Sequence, residues 1–267
     1  MKKRLCKTVA VLVFVCCLAL LMVACGQETV TKTADGLWRY TLNEKDVEGE
    51  TVKTVTLDEY LGQEAEVVVP SAIEVEGALV PVEKLGDAAF MKIDDGKTKW
   101  RTRDTYAQNT TLKKVTIGEG IKSVGNMSFY LCSALTEVYL PETLESIGDF
   151  AFFGCSSLTT ITFPKSVNAI GAYSFRACSL LVTVNVLAEE TLPDLGDKAF
   201  YLINEKSSGD DQYYINKDLR FYVPEVAVGL YDVDKIEAER RQTKSNNHRY
   251  WSEYINAGCF PQVSVQG

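Results

Sequence analysis

The chain has 267 residues, 46% of them hydrophobic, which is the composition of a folded chain with room for one large domain or two small ones. Its 28 basic residues face 36 acidic ones, a net charge of -8. No basic run is long enough to follow a phosphate backbone, which excludes nucleic acid as a partner, and an acidic chain gains no electrostatic hold on anionic lipid.

Residues 1–24 read as an export signal. The basic start MKKRLCK is followed by an apolar run from Val9 to Ala24, short for a membrane span of about 20 residues. The run ends Leu21-Met22-Val23-Ala24-Cys25, and these small residues before a cysteine resemble the bacterial lipobox, with Met22 where that motif usually has leucine. The resemblance implies cleavage before Cys25 and a diacylglyceryl group on its thiol. Loss of Lys2, Lys3, Arg4 and Lys7 leaves 24 basic against 36 acidic residues, a net charge of -12. Residues 25–35 are polar and aperiodic, the expected tether, and residues 36–61 are an expected N-terminal cap.

From Leu112 the chain repeats every 23 residues without a gap: LKKVTIGEGIKSVGNMSFYLCSA, LTEVYLPETLESIGDFAFFGCSS, LTTITFPKSVNAIGAYSFRACSL. Within each unit a Val-x-Ile type pair alternates, so two apolar side chains point inward and the middle one outward. Phe129, Phe152 and Phe175 share one position, which predicts a file of stacked rings in a common core. Gly125, Gly148 and Gly171 precede them and are expected to supply a tight bend at positive φ. Pro141 and Pro164 end their strands, where a missing amide donor costs least. Weaker copies extend the array: Val67, Val69 and Pro70 with Gly86, Ala89 and Phe90 before it, and Gly196, Ala199 and Phe200 with Phe221, Val223 and Pro224 after it. Insertions fall near 91–109 and 201–213.

The unit Leu-x-x-Ile-x-Leu-Pro-x-x-Leu-x-x-Ile-Gly-x-x-Ala-Phe-x-x-Cys-x-x resembles the BspA-type (treponemal) leucine-rich repeat over residues 62–200. The resemblance implies an α+β repeat solenoid, a right-handed coil of short strands and small helical turns, capped at both ends. Residues 201–267, with RFYVP, Trp251 and Tyr254, are similar to the family's usual ending. It further implies a surface protein of a host-associated bacterium, active in adhesion and protein binding.

Motifs for chemistry are sparse. The mature chain has one histidine, His248, and no Gly-x-Ser-x-Gly, H-E-x-x-H, Walker A or G-x-G-x-x-G pattern, so no enzyme, metal or cofactor is expected. The paired acids Asp94-Asp95, Glu189-Glu190 and Asp210-Asp211 lack calcium-loop spacing and read as solvated turns. Cys132, Cys155 and Cys178 recur at the repeat, about 4.8 Å apart in successive coils. A disulfide there is geometrically conceivable, but three equivalent positions cannot pair evenly, which favours a buried, reduced ladder and leaves its redox state open. Cys259 has no evident partner.

Two surfaces are candidates for recognition. One is the outward row Thr116, Tyr139, Thr162 and Asn185, flanked by Lys114 and Glu137. The other is the 91–109 insertion, where Trp100 and Arg101 are typical interface anchors. The expected function is a lipid-anchored, outward-facing module binding a protein or glycan ligand. The alternatives are a structural or assembly lipoprotein of the envelope and a carboxylate-based hydrolase.

Overall fold

The computed structural model describes residues 31–93, 106–203 and 213–231, with several positions between 251 and 259. Residues 1–30 (with Cys25), Asp94, Asp95, Trp100, Arg101, Asp210, Asp211 and His248 lie outside the described residues.

Two parallel strand ladders run along the repeat. The first contains Glu66–Val69, Lys114–Ile117 and Glu137–Tyr139, then Thr160–Phe163, Thr183–Val186 and Arg220–Tyr222. Pairing follows the 23-residue period, with Val115 opposite Val138 and Ile161 opposite Val184. The second is built from two-residue strands, Ser123–Val124, Ser146–Ile147, Ala169–Ile170 and Asp194–Leu195, the last displaced by two residues. It continues through Lys84 and Leu85 into the strand Glu50–Tyr60, which pairs antiparallel with Trp38–Val47.

A third track joins the coils without strands. The Phe90, Phe129, Phe152 and Phe175 N–H groups donate to the carbonyls of Ser128, Ala151, Ser174 and Ala199, each at 2.7–2.8 Å. Coils therefore exchange main-chain hydrogen bonds on up to three sides, and neighbouring coils stack at a strand spacing.

That spacing suits aromatic rings lying face to face. Phe90, Phe129, Phe152, Phe175 and Phe200 form one continuous stack, with successive centroids 4.9, 4.8, 4.9 and 5.2 Å apart and interplanar angles of 9–16°. Phe129, Phe152 and Phe175 are fully buried. Both ends of the stack turn edge-on. Trp38 meets Phe90 at 88°, and Phe221 and Tyr254 each meet Phe200 at 86°. Trp251 is anchored by its indole N–H on the Pro193 carbonyl, 2.8 Å away, and the Tyr254 hydroxyl accepts the Phe200 N–H at 2.9 Å.

The glycines work differently from the expectation. Gly125, Gly148 and Gly171 are not among the positive-φ residues. Their reason is proximity: a Cβ on Gly148 would lie 2.7 Å from the Asn126 nitrogen and 2.8 Å from the Gly125 carbonyl carbon. A Cβ on Gly171 would lie 2.4 Å from the Gly148 carbonyl carbon. The left-handed bend sits two residues later, on Ala88, Met127, Phe150, Tyr173 and Lys198, all with φ between 47° and 59°. A second set follows at Leu131, Gly154 and Ala177. Non-glycine residues here carry roughly 1–2 kcal/mol of local strain each.

A side-chain ladder supports the close approach. The Asn126 N–H donates to Asp87 Oδ1 at 3.0 Å, the Asp149 N–H to Asn126 Oδ1 at 2.8 Å, and the Ala172 N–H to Asp149 Oδ1 at 2.7 Å. Opposite the strands, the chain makes hydrogen-bonded turns where small helical turns are expected. The Cys132 N–H reaches the Phe129 carbonyl and the Leu135 N–H the Cys132 carbonyl, both at 3.1 Å. A 3-10 helix spans Glu225–Tyr231, beyond these coils.

The first coil also carries a hairpin that the period does not announce. Ala72–Val75 pairs antiparallel with Ala78–Leu85, which lengthens the path between the two ladders.

Phe152→Ala removes a ring held between two others, and is expected to destabilise by about 3–5 kcal/mol in chemical denaturation. A small shift would show that the stack does not carry the core. Gly148→Ala is expected to cost roughly 1–3 kcal/mol, because the clash is with backbone. Ala177→Gly is expected to stabilise by about 0.5–1 kcal/mol, since its φ of 61° favours glycine. Equal denaturation midpoints for the two variants would contradict this assignment of proximity and bend.

Candidate binding face

The outward row of the first ladder is assembled as the alternation predicts. Thr116 lies opposite Tyr139, Thr162 opposite Asn185, and Lys114 opposite Glu137. Tyr139 is 51% exposed, and its hydroxyl donates to Glu137 at 3.0 Å. Lys114 Nζ lies 3.5 Å from Glu137 and 5.3 Å from the Tyr139 ring centre, so one cation serves a carboxylate and a π face. These groups are largely solvated, and their contribution to stability is small. Asn185 Nδ2 donates to Thr162 Oγ1 at 2.9 Å.

Two residues extend the row beyond the predicted set. Val68, opposite Thr116, is an apolar side chain 72% exposed, and Tyr222 lies opposite Asn185. Val68 belongs to the weaker first copy, whose middle position is readable once its strand is placed. Trp100 and Arg101 lie outside the described residues, so the row stands without them.

The inward pairs are buried in three strands of the period. Val115 and Ile117, Ile161 and Phe163, and Val184 and Val186 are all at most 3% exposed. Val138 and Leu140 differ: both are half-buried. Between them and the next strand the ladder is unpaired, because Glu137–Tyr139 ends one three-stranded sheet and Thr160–Phe163 begins another. A cavity of about 470 Å³ opens there, lined by Val138, Tyr139, Leu140, Thr160, Thr162 and Leu187 among others.

A second aromatic surface went unnoticed in the repeat pattern. Tyr130 stacks on Phe153 at 5.0 Å, and Phe150 on Tyr173 at 4.9 Å, all half-buried. Arg176 takes the position after Tyr130 and Phe153, with its guanidinium 4.0 Å from the Tyr213 ring centre and 5.1 Å from that of Tyr173. The Tyr173 hydroxyl donates to Asp197 at 2.8 Å, and that bond, with burial, raises its pKa. The signal was present as a 23-residue recurrence, hidden because arginine stands third in an aromatic column.

Cys132, Cys155 and Cys178 are buried and free. Cys155 Sγ lies 3.3 Å from the Phe129 carbonyl and Cys178 Sγ 3.2 Å from that of Phe152, one coil back in each case. Burial pushes the Cys132 and Cys155 thiols up, away from the reactive thiolate. Cys259 is buried as well, and its carbonyl accepts the Phe221 N–H at 2.8 Å. Glu189 and Glu190 are exposed. Among the described residues no group of three His, Cys, Asp or Glu is placed to hold a metal, and no helix is long and apolar enough to cross a membrane.

The 23-residue period, its in-register parallel strands and its buried leucines define a leucine-rich-repeat protein. Residues 102–208 match the model of the BspA type leucine rich repeat region in six copies, so the repeats of this chain are of the BspA type. Comparison with curated proteins gives no match. Among solved structures, a leucine-rich-repeat protein of T. pallidum is 25% identical, over 65% of this chain and 70% of its own, at a TM-score of 0.47. One from Bacteroides capillosus is 27% identical, over 54% of this chain and 97% of its own, at 0.41. The pneumococcal vaccine antigen PcpA is 20% identical, over 70% of this chain and 44% of its own, at 0.44.

Proposed function

We propose that the chain is a lipid-anchored protein-binding module of the bacterial cell surface, serving adhesion through the outward face of a capped repeat solenoid. The observation that carries this reading is the outward row of Val68, Thr116 and Tyr139 on one three-stranded ladder and Thr162, Asn185 and Tyr222 on the next, each set aligned by in-register strands. Repeat arrays offer extended surfaces of this kind to protein partners. The row mixes exposed apolar and aromatic groups with hydrogen-bonding ones, the composition of an interface with anchors and a polar rim. The N-terminal hairpin and the Trp251–Tyr254 region cover the two ends of the phenylalanine stack, as an array of this type requires in water.

The anchor rests on the sequence around Cys25, where two acyl chains suffice for stable attachment and one does not. Cys25→Ala is expected to move the protein from the membrane to the soluble fraction of fractionated cells; continued retention would remove the lipid anchor from the reading.

Thr162→Arg adds a long cation at the centre of the face and leaves the core untouched. In pulldown of surface and extracellular proteins by the purified chain, recovery of a partner is expected to fall about tenfold or more, roughly 1.4 kcal/mol of binding. Glu145→Ala, exposed on another side of the preceding coil, is expected to leave recovery unchanged. Equal loss in both variants, or in neither, would place recognition elsewhere.

A further inference from the structure

The opening in the first ladder is a recess on one face. The coils that part between Tyr139 and Thr162 stay paired on the second ladder, where Ser146 lies opposite Ala169, and stacked through Phe152 and Phe175 at 4.9 Å. Cα atoms of Glu137–Tyr139 and Thr160–Phe163 still approach within 8 Å. A strand inserted between them needs two spacings of about 4.8 Å, so main-chain pairing inside the opening is excluded. An occupant sits on the recess and is held by side chains. The volume, about 470 Å³, is within the roughly 300–1,000 Å³ typical of small-molecule clefts.

Three features of the lining select the occupant. The first is an aromatic face. Lys114 Nζ lies over the Tyr139 ring, 5.3 Å from its centre, and comes from the strand on the side away from the opening. The opposite face of that ring borders the recess. The second is a set of hydroxyls on the far wall, those of Thr159, Thr160 and Thr162, all exposed. Thr162 Oγ1 accepts a hydrogen bond from Asn185 at 2.9 Å and keeps its own hydrogen to donate. The third is charge. Glu137 is engaged by Lys114 and by the Tyr139 hydroxyl, whereas Glu142 is exposed and only its main-chain N–H is bonded, to Glu119 at 3.3 Å. No lysine, arginine or histidine lines the recess.

We propose that the recess binds a neutral saccharide residue. A pyranose presents an apolar C–H face whose slightly positive hydrogens suit the negative face of Tyr139. Its hydroxyls both donate and accept, which matches threonine hydroxyls beside a carboxylate that only accepts. An apolar protein surface would instead bury those hydroxyls and the Glu142 carboxylate without partners. An acidic sugar would set its own charge against Glu142 with no cation to offset it. Saccharide binding here is a further activity of the face, independent of protein capture.

The test follows the full chain by saturation-transfer NMR with four methyl β-glycosides: glucoside, galactoside, N-acetylglucosaminide and glucuronide. At least one of the three neutral glycosides is expected to bind saturably, and the glucuronide about tenfold more weakly than the best of them. Tyr139→Ala is expected to weaken that glycoside about tenfold, and Tyr139→Phe, which keeps the ring, by no more than about threefold. Glu142→Ala, at an exposed turn, is expected to weaken it severalfold with an unchanged denaturation midpoint. Binding that ignores Tyr139→Ala, equal binding of glucuronide and glucoside, or failure of all neutral glycosides would overturn the proposal. Such failure with partner capture still sensitive to Thr162→Arg leaves the protein-binding reading in place. Glycoside binding as expected, with partner capture insensitive to Thr162→Arg, supports the saccharide site and removes the other reading.

Discussion

Everything in this fold depends on one separation, the distance at which two coils can share both a backbone ladder and an aromatic stack. Parallel strands require about 4.8 Å, and the phenylalanine centroids lie 4.8–5.2 Å apart over five rings. The coincidence lets a single side chain fill the same level of every coil without forcing the strands apart. It also explains the glycines, because at this spacing the backbone of one coil lies where the next coil's Cβ would be. A repeat that kept its phenylalanine but gained a side chain at Gly148 would have to choose between stacking and pairing.

The sequence made the period, the ring file and the inward pairs legible because each rests on identical residues at a fixed interval. Backbone conformation was less legible. Positive φ was expected at Gly125, Gly148 and Gly171, the residues most able to adopt it, yet it falls on Met127, Phe150 and Tyr173. Glycine is needed for two distinct reasons, conformational freedom and absence of bulk, and a sequence pattern does not separate them. Here absence of bulk governs, and the bend is imposed on residues held by stacking and by their N–H bonds to the next coil. Phe150 on Tyr173 and the Met127 N–H on the Asp149 carbonyl are examples. The Asp87, Asn126 and Asp149 ladder was hidden for a related reason, since Asp and Asn alternate at a position where either acceptor oxygen serves.

The candidate face was legible in its residues but not in its relief. Alternation alone places Thr116, Tyr139, Thr162 and Asn185 outward, and the registered strands align them as two pairs, Thr116 with Tyr139 and Thr162 with Asn185. The half-burial of Val138 and Leu140 was not readable, because those residues match the period as well as Val115 and Ile117 do. Their exposure follows from what lies beside them in the neighbouring coil rather than from their own identity.

The position of the opening has a cause in the proline pattern. The repeat position that closes each strand segment holds Pro70, Gly118, Pro141, Pro164 and Leu187 in turn. Leu187 can donate its N–H to the Phe163 carbonyl at 3.0 Å and so tie the end of its strand to the coil before. Pro164 has no N–H to offer Leu140, and Pro141 has none to offer Ile117. Among these strands, Glu137–Tyr139 and Thr160–Phe163 are the neighbouring pair that both have proline at that repeat position, and they are the pair that parts. A proline at a strand end removes little when the adjoining coil can still close the ladder, as it does between Lys114–Ile117 and Glu137–Tyr139. At Pro164 the junction to Glu137–Tyr139 lacks that donor, while Leu187 supplies it on the other side of Thr160–Phe163. The prolines that end the strands thus also remove a closing donor at the junction that opens.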